Sequence, residues 1–87
     1  MRSLFAIMVL TVFLPTTNAL ADSCYDLWYQ RNLIYAENGY CFKTDLARRT
    51  FSDFSCRTDH PQFSPREQRR IDQIKAEERE RGCNVNQ

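Results

Sequence analysis

The longest run of helix-like spacing lies between Ser23 and Asn38, where mostly apolar residues recur every three or four positions. This spacing places them on one face of a helix. Ser23 is a good N-cap, and Asp26 follows at the distance of a capping box. Asn38 and Gly39 both tolerate the left-handed backbone that ends a helix. The pattern therefore predicts a first long helix over residues 23–38.

Two more helices are predicted further along the chain. A short one starts at Thr44, which can cap it, and runs to about Phe51. A long one starts at Ser64, with Pro65 at the first helical position, and stops at Gly82. These boundaries rest on cap and stop residues, which act locally.

The segments between and within these helices carry weaker signals. Residues 52–63 have no sustained period and are predicted to be a loop, anchored by Phe54 and Phe63. The charged run at 75–81, which includes Glu78, is typical of a solvent-facing helix surface with pairs inside the helix.

The N-terminus has the order of segments that marks a secretory signal peptide. Arg2 precedes an apolar run over Leu4–Leu14, and the sequence Ala-Leu-Ala ends at Ala21, directly before Asp22. The run is shorter than the about 20 residues that a membrane-spanning helix needs. We therefore predict a signal peptide over 1–21, cleavage between Ala21 and Asp22, and no membrane span after cleavage.

The chain that remains is small enough to need covalent support. A domain of this length buries too little surface for a secure core. All cysteines follow the predicted signal peptide, and none forms a C-x-x-C pair. A redox-active pair or a zinc knuckle is therefore not expected, whereas export to an oxidising compartment favours two disulfides. The cysteines are Cys24, Cys41, Cys56 and Cys83.

Helix geometry bears on which cysteines pair. Cys24 and Cys41 flank the first helix, which at about 1.5 Å per residue holds them about 20 Å apart. A disulfide needs Cα atoms within about 7 Å. Cys41 and Cys56 bracket the short helix, and Cys83 follows the last one. We predict the bridges Cys24–Cys83 and Cys41–Cys56 in an all-α, disulfide-stapled domain with two longer antiparallel helices and one short helix between them.

Charge and candidate chemistry exclude several classes of function. The chain has twelve Lys and Arg against eleven Asp and Glu. Because Arg2 lies in the predicted signal peptide, residues 22–87 are balanced, and we expect no nucleic-acid binding. The single histidine, His60, lies in the predicted loop without a nucleophile motif or further ligands. We expect neither an enzyme nor a metal site, and no cofactor.

Residues 27–42 form a recognisable string that contains Arg-Asn, Ile-Tyr-Ala and Gly-Tyr at 31–32, 34–36 and 39–40. This string resembles the YARHG domain, a small extracellular bacterial module with no established activity. The later aromatic residues and the start of the third helix fit the family as well. Glu37 and Asn38 stand where the family has Arg and His, so a role of that pair is not carried over. The resemblance implies a YARHG-like helical domain over 22–87.

Candidate binding residues lie mainly on the first helix. Arg31 sits on an otherwise apolar face, and two interpretations are open. It can lay its stem across the core and pair with Asp26 or Asp45. Alternatively, Arg31 and Asn32 hold a ligand carboxylate or sugar. The tyrosines that a small core need not bury are further candidates: Tyr25, Tyr29 and Tyr40.

The leading hypothesis is a monomeric, non-catalytic interaction module of the cell envelope, periplasmic or secreted. Its partner would be an envelope protein or peptidoglycan. One alternative is a purely structural accessory protein. Another is a small secreted inhibitor or effector of an extracellular enzyme that presents the loop 52–63. Contiguous exposed tyrosines beside Arg31 would favour the interaction module, whereas full burial would favour the structural role.

Overall fold

The structure is a computed structural model that describes residues 23–84. The signal peptide predicted over 1–21 and the cleavage site at Ala21 and Asp22 lie outside the described residues. Within residues 23–84, no helix combines the length and the apolar character needed to cross a membrane.

The three predicted helices are present. They begin directly after the capping side chains Ser23, Thr44 and Ser64. No strand accompanies them in residues 23–84, so the all-α prediction is confirmed. The helices are α1 (Cys24–Glu37), α2 (Asp45–Thr50) and α3 (Pro65–Glu80).

The N-terminus of α3 is held by a capping box that also contacts α1. Ser64 Oγ accepts from the Glu67 N–H at 3.1 Å, and Glu67 Oε1 accepts from the Ser64 N–H at 2.9 Å. The other Glu67 oxygen accepts from Asn38 Nδ2 at 3.1 Å. The hydrogen bond from the Ser64 backbone, followed by that from Asn38, holds the pKa of Glu67 below its ordinary value.

The two long helices run antiparallel. Cys24 at the start of α1 is bonded to Cys83 just beyond α3, with the Cα atoms 5.4 Å apart. At the opposite end, Asn38 after α1 meets Glu67 in the first turn of α3. The predicted antiparallel arrangement, with one end locked by a disulfide, is confirmed.

The second disulfide, Cys41–Cys56, closes the segment that contains α2, with a Cα separation of 4.7 Å. Backbone hydrogen bonds support it on one side. The Cys41 N–H donates to the Thr58 carbonyl at 2.9 Å, and the Thr58 N–H donates to the Gly39 carbonyl at 3.0 Å. Both disulfides are therefore the pairs that helix length and order predicted.

α2 is held in place by tertiary contacts. A helix of six residues is not stable alone in water. Ala47 of α2 and Phe51 directly after it are buried in one cluster with Trp28 and Ala36 of α1. The helix is therefore fixed against the side of α1, and the residues around it are brought to that face of the molecule.

Candidate functional site

Arg31 lies in the contact between α1 and α3 and is only 4% exposed. Its Nε and Nη2 donate to the two carboxylate oxygens of Glu78, each at 3.0 Å. The predicted partners Asp26 and Asp45 are wrong, and Glu78 does not face solvent as predicted. The physical reason is the antiparallel packing of α3, which carries Glu78 to the middle of α1.

Asn32 is buried beside Arg31 and serves its own helix. Its Nδ2 donates to the Trp28 carbonyl at 3.0 Å, which satisfies a side-chain amide that would otherwise be costly to bury. Arg31 and Asn32 are thus both turned into the protein and hydrogen-bonded within it. Their geometry supports the structural interpretation of this pair over the ligand-binding one.

The predicted tyrosines lie in two different environments. Tyr25 and Tyr29 are 46% and 38% exposed, and their ring centroids lie 6.4 Å apart, one turn from each other on α1. Tyr29 also contacts the ring of Phe51 at 5.2 Å. Tyr40 is half-buried and meets Phe42 edge-on at 5.0 Å. Tyr25 and Tyr29, termed the tyrosine pair below, are contiguous and exposed, although Arg31 is not.

Next to the tyrosine pair lies a groove of about 240 Å³ that sequence reasoning did not find. Phe42 and Phe51 are stacked in it, with ring centroids 5.1 Å apart. Phe51 links the groove to the tyrosine pair through its contact with Tyr29. We call it the aromatic groove, and its lining residues are Tyr40, Cys41, Phe42, Arg48, Phe51, Ser52, Phe54 and Cys56.

Phe54 borders the aromatic groove and remains 40% exposed. It meets Phe51 edge-on at 6.1 Å, and its N–H donates to the Phe51 carbonyl at 3.1 Å. The prediction that Phe54 anchors the loop by burial is therefore wrong. Phe63 does pack inward, against Tyr35 at 4.9 Å. The loop is thus anchored at its far end, and Phe54 is left at the surface.

The one charged residue that lines the aromatic groove is Arg48, whose side chain is largely exposed. Its Nε donates to the Phe42 carbonyl at 3.2 Å, which fixes the guanidinium beside the groove. Its Nη1 lies 3.9 Å from an oxygen of Asp45, one turn earlier on α2. At that distance and exposure the ion pair is weak. The guanidinium is positioned without being strongly neutralised.

The groove could not be read from the chain because its residues come from three segments. The extended piece at 40–42, α2 with the turn after it, and the loop at 54–56 meet only through the Cys41–Cys56 bridge. The available signal was indirect: three phenylalanines, at 42, 51 and 54, inside and beside one disulfide-closed segment.

The lining of the groove defines which chemistry it can perform. Aromatic carbon dominates it, with the disulfide sulfurs, one hydroxyl from Ser52 and one guanidinium from Arg48. This set can receive an apolar group and pair with an anion, but it contains no nucleophile beside a general base. Across residues 23–84, no group of three or more His, Cys, Asp or Glu side chains is placed to hold a metal ion.

His60, the single histidine, is exposed in the loop and away from these lining residues. Its N–H donates to Thr58 Oγ1 at 2.9 Å. The neighbouring Asp59 has its pKa lowered, chiefly by a hydrogen bond of 2.6 Å from Lys43 and by the charge of that lysine. These groups form a surface ion pair at the loop.

Fold and site together define a small all-α domain, closed by two disulfides, with an exposed aromatic groove on one side. The sequence profile of the YARHG domain matches residues 5–79, which is most of the chain. The chain therefore belongs to the YARHG domain family, as residues 27–42 indicated. No curated protein and no solved structure matches it significantly.

Proposed function

We propose that this chain is an exported, monomeric, non-catalytic interaction module of the cell envelope that binds a segment of a protein partner in the aromatic groove. The observation that carries the proposal is the exposure of Phe54 and the tyrosine pair around one groove. Full burial of a large apolar side chain is worth about 1.5–3 kcal/mol. A domain that leaves three such rings in water forgoes stability that a small core needs.

Aromatic and arginine side chains are also the residue types that dominate binding energy at protein interfaces. The groove combines Phe42, Phe51 and Phe54 with Arg48 in one patch. The tyrosine pair extends that patch along α1 through the contact between Tyr29 and Phe51. An incoming segment would therefore meet a continuous row of rings with one cation at its edge.

The composition of the lining favours a protein segment over a glycan. A sugar carries many hydroxyl groups, each of which needs a hydrogen-bond partner when it is desolvated. The groove offers few polar side chains, chiefly Arg48 and Ser52, among aromatic walls. An apolar side chain needs only the walls and a small number of polar groups for orientation. Peptidoglycan is therefore treated as an alternative outcome of the test.

Export and the absence of catalysis are part of the same proposal. Two disulfides are typical of proteins that mature in an oxidising compartment. The order of segments before Asp22 is that of a secretory signal. We therefore assign the domain to the periplasm or the outside of the cell. A binding role without catalysis is supported by the make-up of the groove lining, described above.

The experiment is position-specific crosslinking in intact cells. A photoreactive phenylalanine analogue replaces Tyr29, which borders the groove, and adducts are compared with those from the same analogue at Gln73, exposed on α3. We expect a discrete protein adduct from position 29 that disappears when Phe54→Ala is added and persists with Gln73→Ala. Absence of adducts, or adducts insensitive to Phe54→Ala, would contradict the proposal.

A second measurement separates the glycan alternative. The oxidised protein is sedimented with purified peptidoglycan sacculi, beside the Phe54→Ala variant. Because Arg31 is buried in an ion pair, replacing it would disturb the fold, and Phe54→Ala is the informative change. We expect no pelleting. Pelleting that depends on Phe54 would assign the groove to the cell-wall glycan and overturn the protein partner.

A further inference from the structure

We infer that the segment bound by the aromatic groove is acidic: one aromatic or aliphatic side chain enters the groove, and an adjacent Asp or Glu carboxylate pairs with Arg48. This inference rests on the proposed function and names the chemistry of its partner. It follows from the position of the guanidinium, from the charges around the groove and from the loose contact with Asp45.

The guanidinium of Arg48 is positioned before any ligand arrives. The hydrogen bond from Nε to the Phe42 carbonyl, at 3.2 Å, attaches the inner side of the group to the groove wall. The outer amines point away from that bond, and the planar fork of Arg matches the geometry of a carboxylate. Because the side chain is already oriented, less conformational entropy is lost on binding.

The charges around the groove favour an anion. Arg48 is the single charged member of the lining, and Arg49 follows it as a second exposed cation. Asp53 follows Ser52 in the chain but is not among the lining residues. A segment that brings a negative charge beside its apolar side chain is therefore complementary to this edge.

Asp45 occupies the place that a ligand carboxylate would take. Its oxygen is 3.9 Å from Arg48 Nη1, too far for a hydrogen bond, and both side chains are exposed. The contact can be exchanged for a closer one at little cost. Removing the Asp45 charge should therefore strengthen binding of an acidic ligand and leave binding of a neutral one unchanged.

The test uses the oxidised, ¹⁵N-labelled protein and short blocked peptides, with binding followed from amide shifts of the groove residues. The probes are acetyl-Ala-Phe-Asp-Ala-amide and its neutral counterpart with Asn in place of Asp. We expect the Asp peptide to bind about fivefold more tightly, the factor for one exposed ion pair at contact distance. The difference should shrink as salt is added.

Matched variants assign the effect to Arg48. Arg48→Gln should abolish the preference for the Asp peptide, whereas the neighbouring Arg49→Gln should retain it. Asp45→Asn should raise the affinity for the Asp peptide by about twofold or more, because it removes a competing charge at the same guanidinium. Phe54→Ala should weaken both peptides equally. An Arg48→Gln variant that keeps the preference would overturn the inference.

Further probes distinguish the other outcomes. Equal binding of the Asp and Asn peptides overturns the acidic partner but leaves the proposed function intact. A peptide whose only anion is its free C-terminal carboxylate should bind less well than the Asp peptide. If it binds better, the side-chain source is wrong. Tri-N-acetylchitotriose shifting the groove residues would overturn both the acidic peptide and the protein partner.

Discussion

Breaking the ion pair between α1 and α3 should be the most damaging single change in a polar residue of this domain. Arg31→Met removes the guanidinium that meets both oxygens of Glu78. The Glu78 side chain, 12% exposed, then keeps its charge without that partner. Removal of one member of a buried pair typically costs about 3–5 kcal/mol. Because Glu78 can still reach some water, we expect about 3 kcal/mol.

That loss is large against the total. At about 0.05–0.15 kcal/mol per residue, a domain of roughly 60 residues has a net stability of about 3–9 kcal/mol. A loss of about 3 kcal/mol lowers the Tm of such a domain by about 12–24 °C. The double variant Arg31→Met with Glu78→Leu should recover to within about 1 kcal/mol of the native protein, since apolar replacement of a whole buried pair is nearly neutral.

The assay is guanidinium unfolding of the oxidised protein, followed by the fluorescence of Trp28, the single tryptophan. Trp28 is fully buried and packs against Tyr25 and Phe51, so unfolding changes its surroundings. The exposed pair Lys43–Asp59 supplies the control, because Lys43→Met should have little effect. The reasoning is refuted if Arg31→Met costs less than about 1 kcal/mol, or if the double variant is as unstable as the sum of its singles.

Three further predictions address other parts of the fold. Because the pKa of Glu67 is lowered from 4.5, its stabilising share is fully present above 4.5 and is lost as the pH falls through the folded-state pKa. Glu67→Gln should therefore unfold more easily than the native protein in urea at neutral pH, and this gap should close in acid. Gly39→Ala should cost about 1–2 kcal/mol in denaturant titration, because φ is +82°. Its Cβ would also meet the Arg57 guanidinium at 2.7 Å. Replacing Cys41 and Cys56 by Ser together should cost about 3 kcal/mol for the closed segment of 15 residues, measured against the native oxidised protein; an unchanged unfolding midpoint would contradict this.

Helix boundaries were readable from the chain because the groups that set them are local. Ser23 and Ser64 accept from backbone N–H groups three residues later. Gly39 and Gly82 adopt the positive φ that terminates the helical run. These hydrogen bonds and dihedrals involve near neighbours only, so residue type and spacing are sufficient to predict them.

The disulfide pairing was also within reach of the sequence, since it depends on a length and an order. A helix of known rise keeps Cys24 and Cys41 apart, and the observed bridges join Cys24 to Cys83 and Cys41 to Cys56. The antiparallel sense of α1 and α3 follows from the first of these bridges.

The partner of Arg31 and the existence of the groove were decided by the tertiary structure alone. Asp26 and Asp45 are nearer to Arg31 in sequence, but rotation and packing of α3 place Glu78 opposite its guanidinium. Phe54 and Phe63 look alike in the chain, yet only Phe54 stays at the surface.

The sequence by itself therefore determined what short-range geometry controls: three helices, their ends and the bridges that join them. The tertiary structure decided which faces meet, because that choice depends on the packing of side chains more than 40 positions apart, as for Arg31 and Glu78. The aromatic groove belongs to the second group. Its walls are separate segments held together by a disulfide and a six-residue helix that is stable only when packed.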